Sequence, residues 1–174
     1  GTIAHMSNHL SHYDGADPAH AEGNATPETP ESWAGLPREE FAFPGPLRDR
    51  LVSAILEGRK TSGTALLTEY LSAGETLPRA GDRSVLVDSG NRPVAVLERT
   101  AVRIARLADV DEAHVHAEGE GYEDVAAWRA AHEEFWDSPA YIEVLSDPTF
   151  RVDDDTLVVL DQFRVCERRP DTGA

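Results

Sequence analysis

The run from Pro93 to Leu107 constrains the fold more than any other stretch. It is long and dense in valine, isoleucine and alanine, and it predicts one strand, a bend and a second strand. A short apolar strand, Ser84 to Asp88, precedes it, and Ser89-Gly90-Asn91 between them is a hairpin turn signal. Leu157 to Val165 alternates well enough to supply a closing strand. On either side of these strands the periodicity is helical. The strands are few and irregularly spaced, and no strand-helix repeat appears, which argues against a doubly wound sheet. The expected class is α+β: a small mixed β-barrel with helices packed on it.

The helices are predicted from spacing and caps. Leu47, Leu51, Val52, Ile55 and Leu56 share one face, Pro46 suits the first turn, and Gly58 ends the element. Thr61 or Ser62 then caps an expected second helix, with Ala65, Leu66, Leu67, Tyr70 and Leu71 on its apolar side and Gly74 at its end. A short helix is expected over Asp109 to Ala117. A longer one begins at the cap Asp124 and runs through Trp136, before Ser138-Pro139 breaks it. Residues 1–32 are polar, without apolar periodicity, and read as a disordered tail that starts with an expression scar. His5, His9, His12 and His20 within it could chelate a metal or simply be solvated. The folded domain is expected over 33–168, with 169–174 frayed.

Composition narrows function. The chain has 174 residues, 32 acidic against 16 basic, and a formal net charge of -16. Such charge opposes non-specific binding to nucleic acid or anionic lipid, so an RNA ligand would need a local pocket rather than a basic face; double-stranded DNA and membranes are not expected partners. Cys166 is the lone cysteine, so no intrachain disulfide can form; it reads as a small core residue. With no apolar run near the ~20 residues a bilayer requires, a cytoplasmic protein is expected.

Against this acidic background, Glu57-Gly58-Arg59-Lys60-Thr61-Ser62-Gly63-Thr64 gathers two cations and three hydroxyls on one turn. Lys60 can hold a phosphate or polarise a carbonyl, or it can be a solvated lysine near a helix C-terminus. Backbone amides near Ser62 to Thr64, at the start of the expected second helix, would form an anion site, and Gly63 would admit a ligand close to the backbone. His116-Ala117-Glu118-Gly119-Glu120-Gly121 supplies two carboxylates. Glu120, between glycines, could be a general base or acid, with Glu118 orienting it. Trp128 could stack on a base or belong to the core, and His132 could donate to a phosphate or be a buried core histidine. Arg59 and Arg129 are candidate phosphate partners. Asp153 to Asp155 read as an exposed turn that could alternatively hold a divalent cation, which leaves such a cation as the one candidate cofactor.

In order along the chain, Gly58-Arg59-Lys60-Thr61, Gly81-Asp82, the strand-rich middle, Glu118-Gly119-Glu120-Gly121 and Trp128-Arg129-Ala130-Ala131-His132 resemble the ASCH family, whose members are relatives of the PUA domains. The resemblance covers about Phe43 to Glu167. It implies a PUA-like barrel with a cleft between the lysine turn and the glutamate loop. It also implies action on RNA, since members include ribonucleases for single-stranded RNA and amidohydrolases that deacetylate N4-acetylcytidine. In the small amidohydrolases the catalytic set is a lysine, a threonine three residues later and a glutamate in a His-Ala-Glu-x-Glu segment. Lys60 and Glu120 match that set, whereas the threonine position falls on Gly63, with Ser62 and Thr64 beside it. The expected function is a ribonuclease cleaving single-stranded RNA. The alternatives are an amidohydrolase of modified nucleosides and a non-catalytic RNA- or nucleotide-binding module. Lys60, Glu120 and Thr64 are the candidate catalytic residues. Arg59, Thr61, Ser62, Gly63, Glu118, Trp128, Arg129 and His132 are the candidate binding residues.

Overall fold

The computed structural model describes residues 29–42 and 44–170, together with the backbone of 3–4. Most of the expected tail and the last four residues lie outside the described residues. The architecture is α+β: a curled half-barrel sheet flanked by helices. Among the described residues six strands, β1 (Ile3–Ala4), β2 (Arg38–Glu40), β3 (Ser62–Leu66), β4 (Arg83–Val87), β5 (Pro93–Arg106) and β6 (Leu157–Arg168), run in the order β1-β2-β4-β5-β6-β3. The pairs β1/β2 and β2/β4 are parallel; the others are antiparallel.

The helices are α1 (Pro46–Leu56), α2 (Leu67–Ala73), α3 (Glu112–Ala117), α4 (Val125–Trp136) and α5 (Pro139–Leu145). Pro46 opens α1, as its fixed φ favours. The side chain of Asp124 accepts from Ala127 N at the start of α4, and that of Ser138 accepts from Tyr141 N at the start of α5. Asp111 does the same for α3 through His114 N.

Two expectations are corrected. Residues 62–66 form an edge strand rather than the start of a helix. Ser62 pairs with Gln162 and Leu66 with Val158, and the helix begins only at Leu67. The periodic run Leu66, Leu67, Tyr70, Leu71 suggests an earlier start, but β6 offers Ser62–Leu66 a full ladder of backbone partners, and tertiary pairing overrides local propensity. The stretch Pro93–Arg106 is one continuous strand, not two. The expected bend is absorbed by register shifts at Val96/Leu97 and Arg99/Ala101, which let one strand pair with β4 and β6 while curling.

The sheet buries apolar residues on both faces. Phe41, Leu51, Val52, Ile55, Leu86, Leu97 and Phe163 form one cluster beneath α1. Leu66, Val115, Trp128, Trp136, Tyr141, Leu145 and Leu160 form a second, which seats α3, α4 and α5 on β3 and β6. A buried ion triad ties distant strands together. Arg99 on β5 donates to both oxygens of Glu39 on β2, at 2.7 and 2.5 Å, and its Nε donates to Asp161 on β6 at 2.6 Å. A planar guanidinium can satisfy two carboxylates at once in this way.

Candidate functional site

Two alternate residues of β3, Ser62 and Thr64, and Lys60 just before the strand build the base of the site. Side chains on a strand alternate faces, so Lys60, Ser62 and Thr64 point together toward α3, and all three are buried. Ser62 Oγ donates to the carbonyl of His114 at 3.2 Å. Thr61 N donates to the carbonyl of Ala117 at 2.7 Å, and the exposed Thr61 hydroxyl reaches the same oxygen at 3.4 Å. Gly63 is buried in the ladder opposite Asp161. The amides near Ser62 to Thr64 therefore lie in a strand, so the expected helix N-terminal anion site is not formed.

Glu118 is the centre of the buried network. Its Oε1 accepts from Thr64 Oγ1 at 2.5 Å and lies 3.1 Å from His114 Nε2, while its Oε2 accepts from Trp128 Nε1 at 2.8 Å. His114 Nε2 also lies 2.8 Å from Thr64 Oγ1. Since that hydroxyl gives its proton to Glu118, the ring nitrogen must carry a proton to satisfy either contact. Burial alone would raise the Glu118 pKa, but the His114 hydrogen bond and the charge of Lys60 outweigh it and hold the carboxyl well below the usual range.

Lys60 Nζ donates to the carbonyls of Ser62 at 3.1 Å and Glu118 at 3.3 Å. It also lies 4.0 Å from Glu120 Oε2 and 5.9 Å from the centre of the Phe41 ring. The amine from the strand start and the carboxylate from the glycine-flanked loop thus meet. What permits this is Gly119, with φ +64°: a Cβ there would stand 2.3 Å from Arg59 O and 2.9 Å from Lys60 N. Only glycine lets the two backbones approach so closely.

A cavity of about 490 Å³ opens beside Glu120, between α1 and the loop that follows α3. Arg50, Arg59, Gly119, Glu120 and Tyr122 are among its lining residues. Lys60, Thr64 and Glu118 do not line it. Lys60 is buried behind Glu120, so a direct grip of Lys60 on a phosphate in this cavity is corrected to a hold on the carboxylate that faces it. Arg59 is exposed and pairs with Glu57 at 2.7 Å. Burial, and then the charges of Glu120 and Glu118, push the Tyr122 hydroxyl up to about 12, so it remains a neutral donor.

Other expected contacts fall elsewhere. Trp128 is fully buried and holds Glu118, so it presents no free face to a base. His132 is fully buried and stacks on Trp128 with ring centres 4.0 Å apart. Burial pushes it down to about 4 despite the nearby Glu118, so it is neutral at pH 7 and no cationic phosphate donor. Arg129 pairs with Glu133 at 2.7 Å and Asp154 at 2.6 Å and does not line the cavity. Asp153–Asp155 form a turn, with Asp155 paired to Arg106 at 3.1 Å. Half-buried Cys166 packs beside Val96. Sequence reasoning missed His114, Arg50 and Tyr122. Only His114 carried a signal, its spacing of four from Glu118 on a capped helix.

Among the described residues, no helix is long and apolar enough to cross a membrane. No curated protein matches the chain. A crystal structure of a protein from Enterococcus faecalis V583, classed in a family of unknown function, is similar at 28% identity and a TM-score of 0.59, over 70% of each chain. A crystal structure of an ASCH domain from Lactobacillus crispatus JV V101 is similar at 27% identity and a TM-score of 0.61, over 70% of this chain and 73% of the other. The sequence model of the ASCH domain matches residues 40–167. The chain therefore belongs to the ASCH-domain family, whose PUA-like fold is often associated with RNA.

Proposed function

We propose that this protein is a ribonuclease for single-stranded RNA, holding one nucleotide in the cavity beside Glu120. The observation that carries this reading is that a carboxylate, backed by Lys60 at 4.0 Å, and two arginines line the same cavity. At about 490 Å³ the cavity suits a nucleotide unit rather than a duplex. Glu120 takes the proton of a ribose 2′-hydroxyl and the freed oxygen attacks phosphorus. The 5′-oxygen leaves and takes a proton from water, giving a 2′,3′-cyclic phosphate. Arg50 and Arg59 stabilise the charge that develops on the phosphoryl oxygens. Tyr122 offers a ring for the base.

The test is incubation of pure protein with fluorescent single-stranded RNA. Cleavage should produce cyclic phosphate ends and fall at least a hundredfold in Glu120→Gln. Arg50→Ala should raise KM more than it lowers kcat. Undiminished cleavage in Glu120→Gln, or none by the parent protein, overturns the reading.

Amide hydrolysis of a modified nucleoside is the second reading. The contact between Lys60 and Glu120 and the charge of -16, which suits a small uncharged substrate, favour it. Against it, Thr64 turns to Glu118 rather than to the cavity. Consumption of free N4-acetylcytidine with intact RNA would select it.

A further inference from the structure

We infer that Glu118, Glu120 and His132 form a binding site for a first-row divalent transition cation, with Zn²⁺ the best fit. One donor atom from each residue lies within 4.8 Å of the others. The decisive feature is the tautomer of His132. Its Nδ1 lies 2.8 Å from the carbonyl of Trp128, an acceptor only, so in the neutral ring Nδ1 carries the proton and Nε2 presents a lone pair. That lone pair is fully buried, has no hydrogen-bond partner among the described residues, and faces Glu118 Oε2 at 3.6 Å. A lone pair aimed at a carboxylate is uncompensated unless something positive sits between them.

The surroundings match what holds a metal ligand in place. A ligating imidazole ordinarily donates its other N–H to a backbone carbonyl, as His132 does here. Trp128 thus steadies two of the three ligands, through its carbonyl to His132 and its indole N–H to Glu118. One imidazole nitrogen and two carboxylate oxygens suit Zn²⁺ or Mn²⁺ better than Mg²⁺ or Ca²⁺, which prefer oxygen alone. At bond lengths of about 2.0–2.2 Å around a tetrahedral ion the donors stand about 3.4 Å apart, so pairs now separated by up to 4.8 Å must close by as much as about 1.4 Å, a movement that falls on the Glu120 side chain and its loop because Glu118 and His132 are sealed. Lys60 is the competing cation. A carboxylate has two oxygens, however, so Glu120 can ligate through one while the other serves Lys60 or a substrate. Asp111 and His116 lie near in sequence, but Asp111 caps α3 and His116 is exposed, so neither completes the set.

The test needs no RNA and so stands apart from the cleavage assay. Chelator-stripped full-length protein, His132→Gln and Glu120→Gln are dialysed against Zn²⁺, with stoichiometry, affinity and thermal midpoint recorded. Each variant should bind one equivalent fewer than the parent, or bind that equivalent at least tenfold more weakly, with a smaller zinc-induced rise in Tm. Cobalt in the parent should show the absorption of a nitrogen-ligated ion, lost in His132→Gln. Should His132→Gln fail to fold, the partly exposed Glu120→Gln decides alone. Equal stoichiometry, affinity and Tm response in parent and folded variants, or no binding by the parent, overturns the inference.

Discussion

Gly119→Ala is the sharpest probe of the site, because one added carbon tests whether the two segments meet as described. At φ +64° an L side chain carries about 1–2 kcal/mol of left-handed strain. The new Cβ would also lie 2.3 Å from Arg59 O and 2.6 Å from Arg59 C, far inside van der Waals contact, and the obstacle is backbone rather than a flexible side-chain end. Forcing such overpacking adds about 1–3 kcal/mol. The natural control is Gly121→Ala. Gly121 has φ +83° and nothing within 4 Å of its virtual Cβ, so it carries the strain alone. The difference between the variants isolates the close approach at about 1–3 kcal/mol, or about 2–12 °C in Tm at this chain length. Urea and thermal unfolding of both variants measure it. Agreement within about 0.5 kcal/mol would mean that the loop does not press on residues 59–60, and the contact between Lys60 and Glu120 would lose its support.

Two other buried groups give independent expectations. Burial pushes the Glu69 carboxyl up to about 8, against the lowering effect of its hydrogen bond from Tyr141 at 2.5 Å. Its folded pKa lies above its unfolded value, so this group's contribution is present in full below pH 4.5 and is lost as pH rises toward 8. Glu69→Gln mimics the protonated form without the slope: it should match the parent near pH 4 and exceed its stability by about 3–5 kcal/mol at pH 8, measured by urea titrations at both values. Parallel pH profiles would refute the shift. Arg99→Met leaves Glu39 and Asp161 facing each other without their cation and should destabilise by about 3–5 kcal/mol in urea unfolding. Adding Glu39→Gln and Asp161→Asn should recover part of that loss; no recovery would point to lost packing instead.

What could be read in the sequence was what depends on near neighbours. The period of Leu51, Val52 and Ile55 marked α1, and Asp124 with Trp128 and His132 marked α4, because caps and amphipathic faces are local signals. The strand Ser62–Leu66 was hidden by the helical run that overlaps its end, although Lys60, Ser62 and Thr64 already stood at the period of two that a strand requires. Arg99 was illegible for a different reason: its partners lie sixty residues away on either side, at Glu39 and sixty-two at Asp161, so no local pattern announces a buried charge. The meeting of Lys60 and Glu120 was anticipated because both lay in recognisable segments. Which of them faces the cavity was not, since that depends on the third dimension alone.

Glu118 and Glu120 are two residues apart but differ in surroundings: one is sealed among Thr64, His114 and Trp128, the other borders open space. A sealed carboxylate stays ionised only while donors and a cation compensate it, and Lys60 is the cation that does so. Lys60 therefore serves two carboxylates at once, and removing it disturbs the fold and the cavity together. Loss of activity in Lys60→Ala would not separate those effects. Glu118 is held by Thr64, His114 and Trp128 rather than by Glu120, so Glu120→Gln leaves those hydrogen bonds in place, and assaying it in chelator-stripped and zinc-loaded protein separates its role as a base from its part in the inferred cation site.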